Sequence, residues 1–290
     1  APRTADAKPF VKPLWYWVLL IVLVAVIALT AVPAFTQHPH SPGVGDFFPE
    51  AFFGQGTLLE FNRLTFVRVI MGLLLCLTVG VVASRIKVVP GRGQALLEII
   101  ADFVRGNVAF TLLGNKNGHR FAPLLGTLFL GVLAMNLSGV IPGLNIAATS
   151  VIGMPIIFAA VAYIAFFYAG IKNHGIGGFL RSAVLPSGVP KVLWILIIPI
   201  EFLSNLIMRP VTLTIRLLAN MVSGHFLLAL CYAATSALFF TAAGALKGLG
   251  VVTFGVALAF VLFEVFVASL QAYIFALLTA VYIESSINTH

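Results

Sequence analysis

Between Arg209 and His225 the chain reads RPVTLTIRLLANMVSGH, which sets two arginines, an asparagine and a histidine inside a stretch that is otherwise almost wholly apolar. A charged side chain at a bilayer centre costs roughly 2.5–3.5 kcal/mol on insertion scales. Leucine or alanine at position 216 would insert more easily, so helix stability does not account for Arg216. Snorkelling to an interface, or pairing with a helix neighbour, is the bland use of such a residue. Apolar chain flanks Arg216 on both sides, and Asn220 follows one turn later on the same face. That setting favours a working cation that faces a partner or a water-filled path.

The polar residues form a line. Glu201, Asn205, Arg209, Arg216, Asn220 and His225 follow one another at spacings of 4, 4, 7, 4 and 5, which keeps most of them on one helical stripe. In the next apolar stretch the polar residues are Glu264, Ser269, Gln271 and Tyr273, with Glu264 and Gln271 seven apart on one face. Interhelical hydrogen bonds worth ~1 kcal/mol or less each would account for the Asn, Gln and Ser. They leave Glu264, Glu201, His225 and two arginines in the same helix pair unexplained. Antiparallel packing with Arg216 beside Gln271 would bring His225 and Glu264 together on one side of the membrane. Glu201, Asn205 and Arg209 would then lie on the other, as the internal of two aqueous half-paths that do not join. Glu and His are suited to carrying protons, because modest environmental shifts bring either near neutral pH. Arg is suited to dividing the two sides, because it does not deprotonate.

The elements that must position these residues are membrane helices. The 290-residue chain is 60% hydrophobic and 9% charged, with a mean hydropathy of +1.08, which excludes an ordinary soluble domain. The formal charge of +8 reads as a set of topology determinants in loops, not as a nucleic-acid footprint. Cys76 and Cys231 both lie in apolar runs and imply neither a disulfide framework nor a metal site.

In chain order, Arg3, Lys8 and Lys12 precede an apolar run over 14–35. Val32-Pro33-Ala34 would pass as a cleavage site, but the run is long enough to span and is read as a retained first helix. A Pro/Gly-punctuated loop over 36–60 holds His38 and His40, weak evidence for a metal. Together 1–60 make an extra helix and an external loop, ahead of a membrane domain over 61–290. A second span is expected over 61–83, followed by an amphipathic surface helix within 91–114. Third and fourth spans follow over 121–141 and 150–171. GIGGF, 175–179, reads as a flexible turn; it is no phosphate loop. Two very long stretches close the chain, over 191–240 and 251–284. At ~1.5 Å per residue they far exceed a ~30 Å hydrocarbon core, so they must tilt steeply, bend or split, with Pro199 and Pro210 as candidate kinks. The fold class is an all-α polytopic membrane protein of about six apolar helices plus one amphipathic helix. With the N-terminus inside, Arg3, Lys8, Lys12, Arg85, Lys87, Arg92, Arg105, Lys116, Arg120, Lys172, Arg181 and Lys191 fall inside and only Lys247 outside, while Arg63, Arg68, Arg209 and Arg216 lie in or at the edges of spans. That bias sets the orientation.

At the residues 209–225 the chain resembles subunit a of rotary F-type ATP synthases. LQAYIFALLTAVY at 270–282, VPGRGQALLE, MNLSGVIPG from Met135 and GIKNHGIGGF from Gly170 resemble further family signatures. Together they cover about 85–287. The resemblance implies that Arg216 is the essential arginine that partners a c-ring carboxylate and divides two half-channels. It assigns Asn220 and Gln271 as its companions, and His225 with Glu264 as the external carboxylate–imidazole pair. Glu201 matches an acidic position only roughly, and the family commonly has five crossings, which makes 14–35 extra or processed. The implied partners are the c-ring, the b subunits of the peripheral stalk and membrane lipid, with no nucleic acid, no cofactor and no metal. ATP chemistry would belong to other subunits, since no Walker motif is present. The loops resemble bacterial, actinobacterial-like members, which implies a bacterial plasma membrane, with a mitochondrial inner membrane as the alternative. A proton-coupled secondary transporter is the competing class; it would call for an internal repeat with paired broken helices, and none is visible.

Overall fold

The structure, a computed structural model, describes residues 51–53, 61–141, 146–184, 194–240, 244 and 246–288. The apolar run 14–35, His38, His40 and Lys191 lie outside the described residues. A short antiparallel ladder pairs β1 (Ala51–Phe53) with β2 (Phe61–Asn62) and leads into α1 (Arg63–Ser84). Asn62 caps α1, its side chain accepting from the Thr65 backbone N–H at 2.9 Å.

The amphipathic segment is helical as expected. It forms α2 (Arg92–Val104), whose Leu96, Ile99 and Phe103 remain exposed while Val104 is buried. A π-helical turn, Arg105–Phe110, joins it to α3 (Thr111–Leu137), which bends at Gly114. Gly114 has φ of +66°, a conformation that an L side chain resists. The third span therefore starts earlier than 121 and ends at Leu137. Ser138 and Gly139 turn the chain there.

Next comes α4 (Gly153–Val184), in which GIGGF turns the chain at Gly175, whose non-helical backbone with φ of +70° separates two helical pieces. The long penultimate stretch runs as α5 (Trp194–Phe202), a π-helical segment Leu203–Met208, and α6 (Arg209–Phe240). The irregular segment sits where Pro210 withholds the N–H that would reach the Leu206 carbonyl. Tyr163 of α4 supplies a donor instead, its hydroxyl 2.6 Å from that oxygen. The chain closes with α7 (Leu246–Ile287).

Among the described residues five helices are long and apolar enough to cross a membrane, the last two being Trp194–Phe240 and Lys247–Ile287. At ~1.5 Å per residue these reach about 70 and 60 Å, twice a hydrocarbon core. The chain is an all-α polytopic membrane protein. Its core lies where α3, α4 and α7 meet, around Leu125, Val132, Phe275 and Ile283. Ala268, Ala272, Ala276 and Ala280 of α7 recur every fourth residue and are all fully buried. Such a stripe of small side chains lets helix backbones approach closely without water to drive them together. Gly170 of α4 shows how close: a Cβ there would lie 2.2 Å from the Phe179 ring and 2.3 Å from Ser286 Oγ.

The 146–151 turn is pinned by polar groups. Ser138 Oγ accepts from the Ala148 N–H at 3.0 Å, and Thr149 donates to Asn136 Oδ1 at 2.7 Å. Arg68, inside α1, donates to the carbonyls of Ala148 and Val151. The buried face of this turn reaches α6 and α7, where Ala147 packs with Met221 and Ala268.

Candidate functional site

The two long helices form an antiparallel hairpin, and its contacts fix the register. Arg209 meets Ser285, Asn220 meets Gln271, Gly224 meets Glu264, and Thr235 meets Thr253. The polar line is therefore assembled across α6 and α7 in the order the spacing implies.

At its centre, the Asn220 amide donates to Gln271 Oε1 at 2.7 Å. Gln271 is 2% exposed, and its Nε2 has no partner among the described residues. Arg216 lies one turn from Asn220, off the core-facing stripe of Leu213, Leu217 and Met221, all of which are buried. Its side chain is exposed, beside exposed Ile215, and points away from the bundle. Among the described residues no hydrogen bond or ion pair holds its guanidinium. An arginine in mid-span, held by none of the described residues, presents a full charge to whatever packs on that face.

To one side of Arg216 lies Glu264. Its side chain is 4% exposed, and neither carboxylate oxygen has a hydrogen-bond partner among the described residues. The Gly224 backbone allows this approach: a Cβ there would stand 3.3 Å from Glu264 Oε1. A cavity of about 220 Å³ runs beside the carboxyl, lined by Asn220, Ser223, Gly224, Leu227, Phe263 and Glu264. It has room for several waters, each needing about 30 Å³ in the liquid. His225 is half-buried on α6, next to Gly224. The structure brings Glu264 to its level without a hydrogen bond between the two. Ser269 does not join the line; its hydroxyl is exposed and donates to the Val265 carbonyl of its own helix.

On the other side, Asn205 Nδ2 donates to Glu201 Oε2 at 2.7 Å. Arg209 is half-buried and caged. Its guanidinium lies 5.0 Å from the Tyr282 ring centroid and 5.4 Å from that of Phe166, and donates to Ser285 Oγ at 3.3 Å. Arg209 and Arg216 thus differ in kind: among the described residues one is held within the chain and the other is not. Along the helix axis, Arg209 and the Glu264 level are about 10 and 12 Å from Arg216, at ~1.5 Å per residue.

Sequence reasoning missed Gly224, Ser223 and Arg68. Glycine beside His225 was the available signal for close helix approach, and a charge inside the second apolar span was the signal that Arg68 holds a partner. Among the described residues no three of His, Cys, Asp and Glu converge as a metal site would require.

Residues 65–284 match the family model described as ATP synthase A chain. The chain is 42% identical over 249 residues to ATP synthase subunit a of Rhodococcus erythropolis, covering 86% of this chain and 90% of the relative. It is 33% identical to ATP synthase subunit a of Streptomyces lividans, over 86% of this chain and 88% of that one. To ATP synthase subunit a of Magnetococcus marinus it is 40% identical, over 70% and 74% of the two chains.

Proposed function

The chain belongs to the ATP synthase A chain family, and from that premise we propose that it carries protons through the F0 sector along two offset aqueous paths that meet at Arg216. Family membership makes the chain a membrane component of an ATP synthase. The observation that carries the finer reading is the exposed, unheld guanidinium of Arg216 in mid-span. Left against lipid tails, such a charge costs several kcal/mol. A carboxylate on a neighbouring ring of c subunits would remove that cost, and it would do so only when ionised. The pairing therefore favours the deprotonated carboxylate at this point of the rotation and releases it once a proton arrives.

The external path runs through Glu264, His225 and the cavity beside them. A carboxyl beside a cavity that holds several waters, with no hydrogen-bond partner among the described residues, is placed to exchange its proton with that water. The internal path runs through Glu201 and Asn205. Asn220 and Gln271 fix the α6–α7 register at Arg216, so that the arginine stands between the paths. Arg209, caged by Phe166 and Tyr282, keeps the internal arm in place and does not move protons. The b subunits of the peripheral stalk hold this chain against the ring's rotation. The assembly sits in a bacterial plasma membrane, and ATP is made and hydrolysed on other subunits.

Inverted vesicles carrying Arg216→Ala test this. With the complex assembled, ATP-driven proton pumping is abolished; pumping within twofold of wild type would remove Arg216 from the mechanism.

A further inference from the structure

A second cationic feature lies away from the proton path, at the other ends of α3 and α4. Arg120 donates a hydrogen bond to the Tyr168 hydroxyl, and its Cζ lies 4.9 Å from the Tyr168 ring centroid and 5.5 Å from that of Phe121. Lys172 Nζ lies 5.8 Å from the same Tyr168 centroid. Arg120 and Lys172 are exposed, as is Tyr168 at 52%. Among the described residues no carboxylate pairs with either cation. Ordinary interfacial cations extend separately to water. Here two exposed cations lie against one phenol ring, 4.9 and 5.8 Å from its centroid, where both can reach a single anion.

The depth identifies the anion. Arg120 lies 17 residues from the end of α3 at Leu137, and Tyr168 lies 15 from the start of α4 at Gly153. At ~1.5 Å per residue these are about 26 and 23 Å, close to one ~30 Å hydrocarbon thickness from the opposite face. The cluster therefore stands at the headgroup level, on the side that the Lys/Arg distribution assigns to the inside. Bends at Gly114 and Gly175 carry the chain out of the span just beyond it. An exposed apolar strip, Ile157, Val161 and Ile164, leads up α4 from Tyr168 at helical spacing.

We propose that Arg120, Tyr168 and Lys172 form a seat for the phosphate of an anionic phospholipid, whose acyl chain lies along Ile164, Val161 and Ile157. The chemistry is complementary. The guanidinium and ammonium donate charge-assisted hydrogen bonds to phosphate oxygens. Tyr168 accepts from Arg120 and so turns its own O–H proton outward as a third donor. Basic pockets between membrane helices on the cytoplasmic side bind anionic headgroups in this way. The apolar strip favours a lipid over an acidic protein segment, which would have no use for it.

The test uses the purified complex containing the full chain, with phosphatidylglycerol as the probe and phosphatidylcholine as its zwitterionic control, read by native mass spectrometry. The double variant Arg120→Gln/Lys172→Gln should retain phosphatidylglycerol at least about tenfold less well, since two charge-assisted contacts are lost. Arg85→Gln/Lys87→Gln, which removes two exposed inner-side cations elsewhere, should change retention by less than about twofold. Equal loss in both doubles, or no loss in the first, overturns the seat. Displacement of the lipid by inorganic phosphate at matching concentration would make it a free-anion site and overturn the lipid assignment. Should the variant fail to assemble, wild-type complex with headgroup-photoreactive phosphatidylglycerol decides: label on the peptides holding Arg120 or Tyr168–Lys172 supports the seat. Label elsewhere, or a cross-link from position 168 to another subunit, refutes it.

Discussion

Glu264 is 4% exposed, and its two carboxylate oxygens find no hydrogen-bond partner among the described residues. An unsatisfied buried polar group costs about 1–3 kcal/mol. The cavity of about 220 Å³ beside it admits water, so the low end applies. Leucine at 264 removes that cost, fills the same groove against Gly224, and adds apolar contact with Leu227 and Phe263. Glu264→Leu should therefore raise the stability of the chain by ~1 kcal/mol, a shift of severalfold in the unfolding equilibrium, while ATP-driven pumping falls at least about tenfold. Glu264→Gln, which keeps the shape but not the titratable group, should be equally inactive. Glu264→Asp should recover part of the rate. Retention of the assembled complex along an SDS titration reports the stability; quenching of a pH-sensitive dye in inverted vesicles reports the pumping. A leucine variant that lost stability and pumping together would mean that Glu264 holds the helix pair in place, and the reasoning about an external proton arm would fail.

Gly170→Ala should lower accumulation of the assembled complex, costing ~1–3 kcal/mol, because its Cβ would fall 2.2 Å from the buried Phe179 ring and 2.3 Å from Ser286 Oγ; quantitative blotting of the membrane fraction checks it. Tyr163→Phe removes the donor to the Leu206 carbonyl at the π-helical segment. A loss of ~1 kcal/mol there should speed amide exchange over 203–208 about fivefold, with exchange in α3 unchanged. Asn220→Leu and Gln271→Leu should couple in a double-mutant cycle on stability by about 0.6 kcal/mol, the average for membrane hydrogen bonds, and by no more than about 1.7 kcal/mol. Additive effects would mean that the 2.7 Å contact does no stabilising work.

Much of the architecture was legible because a bilayer imposes a simple rule: long apolar runs become helices and charges gather at their ends. The antiparallel pairing of Arg216's helix with that of Gln271 followed from the alternation of successive spans, with polar spacing suggesting the register, and the Asn220–Gln271 hydrogen bond agrees with it. Rotation about each helix axis was less legible. Seven-residue spacing puts Glu264 and Gln271 on one face but does not say whether Glu264 aims at His225 or at Gly224, since those two are adjacent on α6 and about 100° apart. The π-helical segment was out of reach too. Pro210 announced a break, but the donor that satisfies the freed Leu206 carbonyl is Tyr163, 43 residues away. MNLSG stands out as a motif, while its work, closing a turn through Asn136 and Ser138, depends on partners ten or more residues on.

The most direct test of the central claim is passive proton leak through Arg216→Ala membranes stripped of the ATP-synthesising head. If Arg216 separates two aqueous paths, the assembled variant leaks protons faster than stripped wild type under the same imposed gradient, and adding back the head does not restore pumping. An assembled variant whose leak equals wild type would contradict the account, leaving two paths that are kept apart by something other than this arginine.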